Sequence, residues 1–254
     1  MLLTRRAGPP LRDHVDLLWY YEGDETCSHR ERVLPNGRFQ LIMGPSTGCG
    51  FVSGLRSAFV DIAPGAIRSM MGVVFRPGGA RAFFQEPAID FYNKAVPLDD
   101  VWPRRMKGLC RGRQAARYPQ QRLQALEAVL QSALTSRALH PAVLLALREL
   151  LHMPGVRTVR AVTRDTGLSR RRLSHLFREE VGMTPKRYSR LLRFRDVVKQ
   201  IRTGGRIDWL DVTIAGGYYD QAHMSHEFRE FSGFSPGSFL DAERPYENHV
   251  RIER

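Results

Sequence analysis

Two stretches in the second half of the chain carry apolar residues at helical spacing, so that one face of each predicted helix is apolar and the other polar. The apolar residues are Leu173, Leu176, Phe177 and Val181 in the first stretch, and Met224, Phe228 and Phe231 in the second. This spacing predicts two helices of about three turns each, with one face of each helix buried.

The two stretches also repeat the same residues in the same order, which indicates one structural unit used twice. The repeated residues are Ser174-His175 and Ser225-His226, Phe177-Arg178-Glu179 and Phe228-Arg229-Glu230, Gly182 and Gly233, and Thr184-Pro185 and Ser235-Pro236. Ser169 and Asp220 precede the two helices and are good N-caps. The two glycines stand where a helix ends in a left-handed residue, and the proline pairs predict that a new helix follows.

A shorter predicted helix precedes each unit, at residues 158–165 and 208–216, and Gly167 or Gly217 follows it. Two helices joined by a glycine-containing turn, the second with a polar face, form the helix-turn-helix arrangement. A basic helix face is often only a solvated face, and a single match of this kind is weak evidence. Here the arrangement occurs twice, and the matching residues of the two copies are separated by a nearly constant number of positions. This duplication favours DNA binding.

Residues 185–202 join the two units and are predicted to form one helix, because apolar side chains recur along them at helical spacing. These side chains are Tyr188, Leu191, Phe194, Val198 and Ile201. A helix of about 18 residues is about 27 Å long. It would hold the two polar helices roughly one DNA turn, about 34 Å, apart on one side of the duplex. We therefore expect one chain to read two adjacent major-groove segments.

The stretch from about His140 to Phe239 resembles the AraC/XylS family of bacterial transcription regulators. The resemblance rests on Arg190-Leu191-Leu192-Arg193-Phe194, on Gly217-Tyr218-Tyr219-Asp220-Gln221 and on Gly233-Phe234-Ser235-Pro236. It implies a DNA-binding domain of two helix-turn-helix units joined by a long helix. Thr163 and Thr213 stand where the family generally has alanine, which affects the packing of the first helix of each unit.

Candidate DNA contacts divide into phosphate and base contacts. Lys186, Arg187 and Arg190, with amides at helix N-termini, should hold phosphates and give salt-sensitive affinity. The candidates for base reading are Arg170, Arg171, Ser174 and His175 in the first unit, with Arg178 on the same face, and Gln221, Ala222, Ser225 and His226 in the second. Because arginine predominates only in the first unit, we expect that unit to anchor the protein and the second to tune specificity.

The pattern of the first hundred residues is different, with short β-rich runs separated by turns. The clearest runs are 15–21, 39–43 and 70–75, and turn residues such as Pro35-Asn36-Gly37 lie between them. Such spacing predicts a small β-barrel or sandwich-like domain that can hold a ligand in its mouth. The residues first suspected of lining a pocket are Trp19, Tyr21, Phe39, Gln40 and Arg76, although aromatic residues on strands more often form core.

Trp19, Leu34-Pro35-Asn36-Gly37 and Phe75-Arg76-Pro77-Gly78-Gly79 together resemble an uncharacterised N-terminal domain of some AraC-type regulators. That resemblance implies a sensing or dimerising role. The predicted fold is thus α+β with two domains: a β-rich sensor or dimerisation domain at 1–103, a linker and helix at 104–138, and an all-α DNA-binding domain at 139–254. The apolar face of the helix at 121–134 could dock on the sensor domain or pair with its equivalent in a second chain, and we favour docking while dimerisation stays open. The polar tail after Ala242 should fray.

Composition is consistent with this interpretation, since 254 residues with 43% hydrophobic content suffice for two domains. A formal charge of +13 favours an anionic partner, and twelve basic against three acidic residues lie between Leu168 and Arg206. Three cysteines, Cys27, Cys49 and Cys110, at unrelated spacings suggest reduced thiols in a cytoplasmic protein. No apolar run is long enough to span a membrane.

No nucleophile motif, phosphate loop or His-Glu helix motif supports catalysis, and we expect no enzyme activity, metal or cofactor. Three classes of function stay open: a ligand-responsive DNA-binding regulator, a regulator whose N-terminal domain only dimerises, and an enzyme fused to a DNA-binding domain. The expected partners are double-stranded DNA, a small-molecule effector, a second copy of the chain and, for an activator, RNA polymerase.

Overall fold

The structure is a computed structural model that describes residues 1–23, 30–44, 50–63, 69–102, 118–152, 154–155, 157–203 and 207–252. Its first half is built mainly from strands and its second half from helices, as the two-domain α+β prediction states. The three cysteines lie outside these residues. Among the described residues no helix combines the length and apolar character that a membrane span requires.

The N-terminal domain contains a six-stranded antiparallel sheet with the strand order β1-β2-β7-β4-β5-β8. Its strands are β1 (Leu2–Arg5), β2 (Val15–Glu22), β4 (Gln40–Met43), β5 (Phe51–Ser53), β7 (Ser69–Phe75) and β8 (Ala95–Pro97). Among the described strands, the outer strands β1 and β8 do not pair with each other. The sheet therefore stays open. Of the two forms predicted, the barrel is wrong, because closure would need a ladder between these two short edges.

A second sheet has three strands in the order β6-β3-β9, formed by β6 (Val60–Ile62), β3 (Arg30–Val33) and β9 (His249–Ile252). Strand β9 comes from the C-terminal end of the chain and pairs antiparallel with β3, so that Val250 lies opposite Arg32. Val250 is 1% exposed. The expectation of a frayed tail is therefore wrong, because the tail satisfies its backbone groups on a strand of the N-terminal domain.

The two faces of the six-stranded sheet differ in burial. One face carries Leu18, Leu41 and Val73, all fully buried, and helix α2 (Pro119–Ala133) packs on strand β2 with its buried leucines, Leu126 among them. The predicted docking of this helix on the N-terminal domain is confirmed. Opposite residues of paired strands point to the same side, so the other face carries Trp19, Gly72 and Ile42, and its large side chains are only half-buried. The interior of the domain therefore lies on the side of the sheet on which α2 packs.

The second half of the chain forms the predicted all-α domain with two helix-turn-helix units and a connecting helix. After the short α1 (Leu98–Val101) and α2, its helices are α3 (Pro141–His152), α4 (Val159–Asp165), α5 (Arg170–Val181), α6 (Pro185–Arg202), α7 (Trp209–Ala215), α8 (Gln221–Ser232) and α9 (Pro236–Asp241). Helix α6 is the connector, and all five apolar residues predicted to share its face are buried. Helices α3, α4, α5 and α8 all pack on α6.

Candidate DNA-binding surface

Helices α5 and α8, which we call the reading helices, begin and end as the repeated motif predicts. The side chain of Ser169 accepts a hydrogen bond from the amide of Arg172 at 3.2 Å, and Asp220 accepts one from His223 at 2.7 Å. Gly182 and Gly233 end the helices in the left-handed conformation, with φ of 103° and 74°. These caps fix the length of each helix and hence the residues that its outer face presents.

The outer face of α5 is exposed along its length. Arg170, Arg171, His175 and Arg178 are exposed and Ser174 is half-buried, as base-reading or phosphate-binding side chains must be. On the opposite side of the helix, Leu173 and Phe177 are buried in the core of the domain. The structure thus brings all five candidates of the first unit to one side of one helix.

Helix α8 presents the equivalent face of the second unit. Gln221, Ala222 and His226 are exposed and Ser225 is half-buried, whereas Met224 and Phe228 are buried. Tyr219, in the turn just before the helix, is 92% exposed. Both reading faces are open to solvent in this arrangement of the domains, so neither has to be uncovered before it meets DNA.

The three predicted phosphate contacts on α6 do not share one environment. Lys186 is exposed. Arg187 is half-buried, 3.8 Å from a carboxylate oxygen of Glu230 and 5.9 Å above the ring of Tyr92. Arg190 donates to Glu227 at 2.6 Å and to Glu230 at 2.5 Å. Lys186 is thus the most exposed of the three candidates, while the two arginines also contact the second reading helix.

A buried ion cluster around Glu227 joins the connector α6 to the reading helix α8. Glu227 is fully buried and accepts hydrogen bonds from Arg190 and, at 3.0 Å, from Arg193. Burial lowers the pKa of Arg190, but the hydrogen bonds and charges of Glu227 and Glu230 outweigh this effect and leave the pKa raised. Arg193 also lies 4.6 Å above the ring of Tyr218. Burial and the charge of Glu227 raise the pKa of the Tyr218 phenol.

Sequence reasoning did not identify Glu227 as important. A signal was present, because Glu227 falls beside Met224, Phe228 and Phe231 on the apolar side of its helix, where an acidic residue needs a partner. The arginines of the connector are the partners that this position finds.

The five residues suspected of lining a ligand pocket separate into two groups. Trp19, Tyr21 and Gln40 lie on the half-buried face of the six-stranded sheet. Phe39 is buried and packs against the ring of Phe91 with 5.6 Å between centroids, and the exposed Arg76 donates from Nε to the carbonyl of residue 12 at 2.8 Å. The structure therefore gathers three of the five on one surface and assigns the other two to packing and a loop contact.

Comparison with known families identifies two domains in the chain. Residues 162–242 match a family model described as a helix-turn-helix domain, and this domain is of the AraC type. Residues 4–97 match a family described as a domain of unknown function, DUF6597. A search of curated proteins found no match.

Among solved structures, the chain is similar to ToxT from Vibrio cholerae, with 7% identity and a TM-score of 0.45 over 95% of this chain and 97% of that one. A second ToxT structure, with an unsaturated fatty acid bound, has 8% identity and a TM-score of 0.40 over 94% of this chain and 93% of that one.

Proposed function

Because the chain carries an AraC-type helix-turn-helix domain behind a DUF6597 domain, we propose that it is a sequence-specific transcription regulator that reads two adjacent major-groove segments. The observation that carries the proposal is the pair of matched reading helices, each exposed on its polar face and packed by its apolar face on the single connector α6. The predicted DNA contacts of the two units are thereby attached to one rigid element.

The polar faces of the two reading helices differ in chemistry, so the bases that they recognise should differ as well. Arg170 and Arg171 suit guanine edges, because a guanidinium can donate two hydrogen bonds to the O6 and N7 atoms of guanine. Gln221 suits adenine, which offers one acceptor and one donor in the major groove. Each such pair discriminates against a wrong base by about 1 to 3 kcal/mol. The first unit therefore supplies most of the charge, and the second mostly neutral hydrogen bonds.

Selection of binding sites from random duplex DNA tests this function. We expect a bipartite site, and the variant Arg171→Ala should relax the preference at one base pair of one segment while leaving the other segment unchanged. Arg12→Ala is the matched control, because it removes the same charge from an exposed position in the N-terminal domain. Recovery of no preferred sequence by the folded protein would contradict the proposed function.

We further propose that the N-terminal domain binds a small-molecule effector on the half-buried face of the six-stranded sheet. Trp19, Tyr21 and Gln40 lie there with apolar neighbours such as Ile42 and Val74, all partly accessible to solvent. An apolar surface with a few polar groups is the usual composition of a small-molecule site. The alternative, a domain that only pairs two copies of the chain, would give no ligand-dependent stabilisation.

A thermal-shift screen of small metabolites against the full chain separates these alternatives, because a ligand stabilises the state that it binds. The full chain is required, since β9 belongs to the N-terminal domain. Trp19→Leu should abolish any shift, whereas Tyr118→Leu, which changes an aromatic side chain that is 63% exposed, should preserve it. The further partners in this proposal are a second copy of the chain and, for an activator, RNA polymerase, with the cytoplasm as the site of action.

A further inference from the structure

Both reading helices end against the N-terminal domain, and they do so at the same position of the repeated motif. That position is the C-terminal end of each helix, at Gly182 in the first unit and Gly233 in the second. A side chain on Gly182 would lie 3.1 Å from the carbonyl oxygen of Ala88, and one on Gly233 would lie 2.7 Å from the ring of Phe59. The N-terminal domain thus contacts the two units at equivalent points.

The contact at the end of α5 is formed by an ion pair and by close backbone packing. Glu180 is only 6% exposed, and its Oε1 lies 3.6 Å from Nε of Arg81, in the short helical turn Gly79–Ala82. Its Oε2 accepts a hydrogen bond from the amide of His140 at 2.8 Å. The ring of Phe39 lies 3.4 Å from the position that a side chain on Gly182 would take. We call this arrangement the α5 contact.

The contact at the end of α8 is formed by one arginine of strand β3. Arg32 donates from Nη1 to the carbonyl of Ser232, the last residue of α8, at 3.3 Å. Its guanidinium lies 3.6 Å above the ring of Phe59, and Asp61 accepts two hydrogen bonds from it at 2.8 and 2.9 Å. A cation at the carboxyl end of a helix is favoured by the helix dipole. We call this arrangement the α8 contact.

Strand β9 reinforces the α8 contact, because it pairs with the strand that carries Arg32. The amide of Leu34 donates to the carbonyl of Asn248 at 2.8 Å, just beyond the ladder between β3 and β9. The imidazole of His249 lies 2.6 Å from a carboxylate oxygen of Glu31 on β3. The chain that leaves the second unit therefore returns at once to the N-terminal domain.

We propose that the N-terminal domain, by contacting both reading helices at their C-terminal ends, sets the spacing between the two DNA segments that the protein accepts, with Arg32 and Arg81 as positioning residues. The proposal rests on the proposed DNA-binding function. The connector contacts each reading helix along its apolar face. A second contact at the C-terminal end of the helix limits how far the helix can rotate relative to the connector. Fewer relative orientations of α5 and α8 leave fewer productive spacings on DNA.

The test measures spacing preference with duplexes that carry the two selected segments and a spacer shortened or lengthened by one or two base pairs. The full chain should discriminate against every altered spacer. Arg32→Ala should reduce that discrimination at least about fivefold, the lower end of typical coupling between sites, while preserving the base preference within each segment. Arg30→Ala is the matched control, because it removes the same charge from an exposed position of the same strand.

Glu180→Gln provides a second variant at the α5 contact, since glutamine keeps an acceptor for His140 and loses the ion pair with Arg81. Like Arg32→Ala, it should weaken the discrimination against altered spacers. It also keeps the test decisive if Arg32→Ala fails to fold. A folded variant of either contact could show the same spacing preference as the unmodified chain and only a lower melting temperature. Such a result would show that the contact is merely structural, and it would overturn the inference. Absence of any bipartite site for the unmodified chain would instead refute the proposed function.

Discussion

Arg190 of the connector donates its Nε–H to Glu227 of the second reading helix over 2.6 Å, and Glu227 is fully buried. Arg190 and Arg193 both form ion pairs with this one carboxylate. The orientation of α8 relative to α6 thus depends on a buried carboxylate that is held between two guanidinium groups.

Replacement of Glu227 should therefore be costly. Glu227→Ala leaves two half-buried guanidinium groups without their main partner, and we expect a loss of about 2 to 4 kcal/mol in the free energy of unfolding. Glu230→Ala is the control, because its side chain is 35% exposed and such ion pairs contribute about 0 to 1 kcal/mol. Urea unfolding measures both, and equal losses in the two variants would contradict the role of Glu227.

The equivalent turn glycines of the two units should respond differently to alanine. Gly167 and Gly217 both have left-handed φ, of 70° and 66°, so alanine costs about 1 kcal/mol or more at either position. A side chain on Gly217 would also collide with the backbone of Gly155, whereas one on Gly167 meets no atom of the described chain within 4 Å. Thermal unfolding should show Gly217→Ala as clearly less stable than Gly167→Ala, and the reverse order would be incompatible with this packing.

Tyr188 predicts a pH dependence of stability. Burial raises the pKa of its phenol to about 12, and its hydroxyl lacks a hydrogen-bond partner within the described residues. Between the ordinary value of 10.0 and about 12 the unfolded phenol ionises while the folded one keeps its proton, so stability falls as pH rises through this window. Tyr188→Phe should be as stable as the unmodified chain or about 1 kcal/mol more stable at pH 7, and should lose less between pH 10 and 12.

Denaturant unfolding at neutral and alkaline pH measures this difference. Tyr118→Phe is the control, because Tyr118 is 63% exposed and its replacement should leave the pH profile unchanged. If the unmodified chain and Tyr188→Phe lost the same free energy of unfolding between neutral and alkaline pH, burial of the Tyr188 phenol would not account for the pH dependence.

Lys186 should contribute to DNA affinity through a phosphate. Lys186→Ala should weaken binding to specific and random DNA alike and reduce the slope of log affinity against log salt by about 1. Gln221→Ala should leave the slope unchanged and relax base preference in the second segment. Binding titrations across salt concentrations distinguish the two, and a change of sequence preference in Lys186→Ala would reassign this lysine to base reading.

The sequence predicted the DNA-binding half closely because its signals are local. Ser169 and Gly182 mark the two ends of a helix through bonds to residues a few positions away, and the apolar spacing from Tyr188 to Ile201 needs no knowledge of the rest of the fold. The exposed positions of Arg171 and Gln221 follow from the same periodicity. Their roles in base reading remain predictions.

The features that sequence reasoning missed all depend on distant partners. His249 and Glu31 are 218 residues apart, and nothing in the short run from His249 to Ile252 indicates which strand it joins. Arg190 looks like a phosphate contact in a basic helix until the position of Glu227 is known. Closure of the six-stranded sheet likewise depends on whether β1 and β8 meet, which no local pattern encodes.

Strand β9 also bears on how the protein is made. Because β3 pairs with residues 249–252, the smaller sheet of the N-terminal domain lacks one strand until the ribosome has synthesised these residues. The N-terminal domain therefore completes its fold after the DNA-binding helices have emerged, although it is translated first. A stop codon between the second reading helix and β9 would thus disturb the N-terminal half of the molecule as well as the half that it shortens.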